Sequence, residues 1–133
     1  MRIAVSTTTA YDKVTGHAGR ARRWLVFTVS EAGEVAQPER VELAAPQVFH
    51  HFDFAAGEPH PLAGITALIT QSAGEGFLDK MRRQGIDARL TAETDPAGAV
   101  ASHLAGTLTP PRPRPVGELV CKAIDRLTRP RRS

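Results

Sequence analysis

The 133-residue chain contains a single cysteine, Cys121, so it has no internal disulfide and no multi-cysteine zinc or iron–sulfur motif of its own. A lone thiol points to a reducing compartment. No apolar run approaches the roughly 20 residues of a membrane span. The opening MRIAVSTTTA has one charge and too short an apolar stretch for a secretory signal, so a cytoplasmic protein without membrane contact is expected. What is present is ordinary globular material: 41% hydrophobic and 23% charged residues, enough for one domain with a core that needs no staples.

The net charge of +3 is unevenly placed. Residues 112–133 hold seven of the 17 basic residues and two of the 14 acidic ones, leaving ten basic against twelve acidic in the body. The basicity therefore belongs to the tail, and nucleic acid is not the expected partner of the body.

Residues 2–6 (RIAVS) read as a short buried strand that stops in Thr7, Thr8 and Thr9. After a loop, residues 23–30 (RWLVFTVS) are apolar in both alternating sets, as in a strand covered on both faces. A turn around Gly33 leads to a looser third strand at 35–43. Residues 44–62, with three prolines and three histidines, read as a long loop with one helical turn near 48–54. ITALIT (65–70) is a strand, and Phe77, Leu78 and Met81 predict a helix stopped at Gly85. IDARL (86–90) is the last strand, and Asp95-Pro96 opens a helix that ends at Gly106. The second half is thus β-α-β-α, with its two strands parallel.

TPPRPRP (109–115) reads as a stiff linker. Beyond it, Val116, Leu119, Val120, Ala123, Ile124 and Leu127 form one apolar stripe, which predicts a basic amphipathic helix and tail over 116–133. That helix suits packing on its own domain or a homodimer.

In an open α/β sheet, ligands bind beyond the carboxyl ends of the strands, where connections leave in opposite directions. If the strands at 2–6 and 65–70 are neighbours, the loops meeting there are residues 6–21 and QSAGEG, 71–76. The second loop opens a helix, whose free N–H groups and dipole favour an anion. The first loop brings His17 and Arg20, flanked by Gly16 and Gly19. Ser72, Ala73, Gly74 and Gly76 complete the candidate site, while Glu75 opposes an anion unless it points away. Imidazole also makes His17 a candidate metal ligand. The residues alone equally allow two glycines serving turns, a solvated His17, and an Arg20 paired with a carboxylate.

MRIAVST, then VTGHAGRA before a strand, then strand–glycine-rich loop–helix–Gly-Ile, then a helix closing on Leu-x-Gly, resembles the dinitrogenase iron-molybdenum cofactor biosynthesis domain family. The resemblance covers about residues 1–108, and GHAGRA is its most specific part. It implies a ribonuclease H-like fold: a mixed five-stranded sheet flanked by helices, with the first and fourth strands side by side. It also implies a non-enzymatic carrier or accessory protein for an iron–sulfur cluster, or for iron-molybdenum cofactor or its precursor. Nitrogenase or cofactor-assembly proteins are the implied partners, and His17, Arg20 and loop 71–76 the implied site. An alternative is a binding module for another small anion, a phosphate or metabolite, through the same loops.

His50, His51 and His60 share a loop with Asp53 and are further metal candidates, although their spacing fits no defined motif. His103 reads as a residue of a helix surface or core edge, and Cys121 as either a buried thiol or a soft ligand in trans. A ribonuclease H-like nuclease needs several carboxylates around paired magnesium ions. The first strand carries none.

Overall fold

The computed structural model describes residues 1–111. The helix expected at 116–133 and Cys121 lie outside the described residues, as does most of the 109–115 linker.

Five strands form one mixed sheet in the order β3-β2-β1-β4-β5: β1 Arg2–Ser6, β2 Arg23–Thr28, β3 Glu39–Glu42, β4 Ala67–Thr70 and β5 Asp87–Leu90. β1 pairs antiparallel with β2 and parallel with β4, and β4 pairs parallel with β5. The expected neighbourhood of the first and fourth strands is therefore present. The third strand is shorter than its sequence pattern predicts. Its early part touches the sheet only through a bridge between Val29 and Val35, because Val35 is exposed and has no core to hold it.

Strand alternation sends side chains to two apolar layers. Ile3, Val5, Leu25, Phe27, Ala67 and Ile69 face one side, where Ala99 and Val100 of helix α2 (Pro96–Ala105) cover them. Ala4, Trp24, Val26 and Leu68 face the other, packed with Met81 of helix α1 (Glu75–Arg83) and with Leu43, Val48 and Phe49. A sheet covered on both faces needs strands apolar in both sets, which is why β1, β2 and β4 show no polar alternation.

The helix boundaries follow local chemistry. The Asp95 carboxylate accepts from the Gly98 N–H at 2.9 Å, Pro96 takes the first turn, and Gly106 ends α2 at φ +73°. α1 begins at Gly74 with no side-chain cap, which leaves its first N–H groups open, and Gly85 ends the turn after it at φ +75°. In the proline-rich stretch, Val48 accepts from the N–H of both His51 and Phe52, giving the expected helical turn.

Candidate functional site

The site begins where β1 and β4 end side by side. The Ser6 hydroxyl donates to the Thr15 carbonyl at 2.7 Å and meets the buried Thr70 hydroxyl at 2.7 Å. Beyond the strands the two loops continue the sheet through a parallel bridge between His17 and Ser72. The Ala18 N–H donates to the Ser72 carbonyl at 2.9 Å, and the Ser72 N–H to the Gly16 carbonyl at 3.3 Å. Gly16 makes the approach at φ +89°, a conformation that side-chain-bearing residues rarely adopt.

These loops bound a cavity of about 410 Å³ lined by His17, Gly19, Phe49, His50, Gly74, Gly76, Phe77 and Lys80. Its chemistry is one-sided: two imidazoles, one ammonium, the open start of α1 and two phenyl rings, with no carboxylate among the lining residues. His17 is oriented by the Ser72 hydroxyl, 3.0 Å from its Nδ1. With the Nδ1 proton given to Ser72, Nε2 carries the free lone pair.

The structure redistributes the roles expected from sequence. His17, Gly19, Gly74 and Gly76 line the cavity, Ser72 positions His17, and Ala73 packs on the core. The first turn of α1, residues 75–77, supplies open amides, whereas the Ser72 N–H is already committed to Gly16. Arg20 does not line the cavity. It closes the short 3-10 turn Ala18–Arg20 and is exposed, since that turn carries the chain past the cavity wall. The cation in the wall is Lys80, whose Nζ donates to the Phe49 carbonyl at 2.8 Å and approaches that of Phe52 at 3.4 Å. Glu75, the acidic neighbour, is exposed and outside the lining.

Of the three clustered histidines, His60 parts from the others, while the rings of His50 and His51 meet edge-on with centroids 5.0 Å apart. His50 enters the cavity, held by its backbone N–H on the Gly19 carbonyl at 2.7 Å. His51, the next residue, points to a different hollow with Pro46, Phe52 and Asp53. His60 is buried against Phe49, Phe52 and Phe54. Its Nε2 donates to the Gln47 carbonyl at 2.7 Å and its Nδ1 accepts from the Leu62 N–H at 3.0 Å, so neither nitrogen is left for a metal. Burial holds His60 below its ordinary value of 6.5, opposed by the bond to Gln47. No group of three or more His, Cys, Asp or Glu residues among those described is arranged to hold a metal ion. His103 borders a separate hollow with Arg89, Gly106 and Leu108.

Sequence reasoning missed Phe49, Phe77 and Lys80, and did not bring His50 to His17. Gly76, Phe77 and Lys80 do carry a signal, since positions three and four apart share a helix face.

The family model for dinitrogenase iron-molybdenum cofactor matches residues 1–106, the whole sheet with both helices. The chain belongs to this family. Three solved structures share the family member's fold. The crystal structure of PH0822 is 18% identical with a TM-score of 0.59, covering 82% of this chain and 94% of that one. A Thermotoga protein solved by NMR, described as a candidate NifB protein, is 18% identical with a TM-score of 0.54, covering 82% and 91%. The apo form of the orange protein from Desulfovibrio gigas is 24% identical with a TM-score of 0.55, covering 86% and 92%. At these identities the likeness is one of fold. No curated protein sequence matches the chain significantly. Among the described residues no helix is long and apolar enough to cross a membrane.

Proposed function

We propose that this protein is a non-enzymatic carrier or accessory protein for an iron–sulfur cluster or for iron-molybdenum cofactor, or its precursor, in nitrogenase-type cofactor assembly. The observation that carries the reading is the cavity at the β1–β4 switch point, cationic and half apolar, within the part of the chain that the family model matches. The open amides of α1 and the Lys80 ammonium offset the charge of an anionic cluster, and Phe49 and Phe77 exclude water from its flank. His17 offers one exchangeable ligand. Arg20 adds charge from outside the lining, through the field rather than by contact.

Few ligands suit a protein that must hand its cargo on to nitrogenase or an assembly protein. In this reading residues 1–108 are a ribonuclease H-like cargo domain that works in the cytoplasm. Residues 109–115 are a linker, and the basic segment 116–133 is the means of docking or homodimerisation. The uncapped start of α1 also favours a second reading, a binding module for a phosphate or a small anionic metabolite.

An anaerobic titration with cofactor precursor, followed by visible absorption, decides between them. The carrier reading expects saturable binding by wild type and at least tenfold weaker binding by His17→Ala. Absence of binding by wild type ends the carrier reading, and displacement of the precursor by equimolar inorganic phosphate favours the second one.

A further inference from the structure

We propose that His50 is a second metal-binding imidazole, which with His17 forms a two-point clamp that grips cargo through a metal centre. Three features carry the assignment. Both residues line the same cavity, one from the loop after β1 and the other from the loop before β4. The backbone bond from the His50 N–H to the Gly19 carbonyl, 2.7 Å, fixes His50 directly on the loop that holds His17. Gly19 then keeps the gap between them open: a Cβ there would lie 3.9 Å from Cδ2 of His17 and 3.9 Å from Cβ of His50.

The ligand class follows from what surrounds the pair. Two neutral imidazoles are borderline ligands that suit copper, iron, nickel and zinc better than hard cations. In its Nδ1-protonated tautomer, His17 donates to the Ser72 hydroxyl, the outer-shell arrangement typical of a metal-bound histidine, and keeps the Nε2 lone pair for a metal. The lining supplies no carboxylate or thiolate to neutralise a bare divalent ion, whereas Lys80 and the start of α1 favour net negative charge. The species that satisfies both demands is an anionic metal complex or cluster with two open coordination positions. Two protein bonds hold it more selectively than one and still exchange readily.

The clamp rests on the carrier reading for its natural cargo, but copper(II) nitrilotriacetate tests it, because this complex is anionic, keeps coordination positions open and carries the metal that heads the divalent series for nitrogen ligands. The complex is titrated into the full chain at neutral pH and followed by electron paramagnetic resonance, whose nitrogen splitting beyond that of the chelator counts bound imidazoles. Wild type is expected to bind one copper with two imidazole nitrogens. His50→Ala should lose one nitrogen from the spectrum and bind at least tenfold more weakly, and His17→Ala should do the same. His103→Ala should behave as wild type, and His51→Ala, which removes only the ring packed edge-on against His50, should keep both nitrogens. His50 is exposed, so its replacement leaves the core intact, and circular dichroism checks that it does. No one-to-one site in wild type, an unchanged spectrum in His50→Ala, or loss of the site in His51→Ala would overturn the clamp. Copper bound as described by a protein that ignores cofactor precursor keeps the clamp and removes the carrier reading. Precursor bound equally by wild type and His50→Ala keeps the carrier and removes the clamp.

Discussion

Ser72 and Gly19 bring little reactivity of their own, yet both set what His17 can do. The Ser72 hydroxyl holds the imidazole at Nδ1, and outer-shell partners of this kind are worth about ten- to a hundredfold in metal affinity. Ser72→Ala should weaken cargo binding about tenfold and leave the melting temperature unchanged, since Ser72 is exposed. Equal affinity in a direct titration would show that the hydrogen bond is incidental. Gly19→Ala probes the space itself. A methyl group there meets its neighbours at 3.9–4.0 Å, ordinary contact, so stability should stay within about 0.5 kcal/mol while affinity for a bulky cluster falls. Unaltered cluster affinity would mean that the cargo does not reach this floor. His17 was readable in sequence because GHAGRA ends a loop that leaves a buried strand. That Arg20 stands outside the cavity lining is not legible in sequence, because adjacency does not say which way a 3-10 turn aims its last residue. His50 lay in a stretch with no period, and Lys80 reads from sequence as one more charge on a helix surface.

The loop between β3 and β4 is the least regular element and the most consequential one. Phe49 is its hub, meeting Trp24 and Phe77 edge-on, each at 5.7 Å, and stacking on His60 at 5.0 Å. Lys80 ties the loop to α1, and His60 ties Gln47 to Leu62 across its base. The polar bond at Nδ1 needs a neutral imidazole, which gives the loop a pH dependence. The unfolded chain takes up this proton near pH 6.5, the folded chain only at lower pH. The stability due to neutral His60 is therefore present above about pH 6.5 and lost as pH falls below it. Asp12 and Glu93, both held low by hydrogen bonds, add to the acid loss only below about pH 4.5. Urea unfolding midpoints should accordingly decline between pH 7.5 and 5.5 in wild type and much less in His60→Phe. That variant should also be about 1–3 kcal/mol less stable at pH 7.5, with Gln47 and Leu62 left unpartnered. Parallel pH curves for the two proteins would refute the assignment. The strands and both helices were legible because burial on two faces and capping residues leave strong local marks. This loop was not, because its order comes from aromatic contacts between residues that no period relates.

Across the molecule, charge and chain connectivity act at longer range than any single contact. Arg20 stands outside the cavity lining, so its influence on an anionic cargo is screened by salt, whereas ligation by His17 is not. Arg20→Ala should slow cargo association at low ionic strength and match wild type near 0.5 M salt, as stopped-flow absorption would measure; a deficit that persists in high salt would imply direct contact. The bridge between His17 and Ser72 has a wider consequence. It joins residues 55 positions apart and depends on the parallel pairing of β1 with β4. Parallel pairs of such separation close late in folding, because the entropy of the intervening loop must be met first. During synthesis, a nascent chain that ends before residue 71 has neither the second loop nor the start of α1. Until β4 has been made and has paired with β1, the chain has no binding site, and cargo finds nothing to hold it.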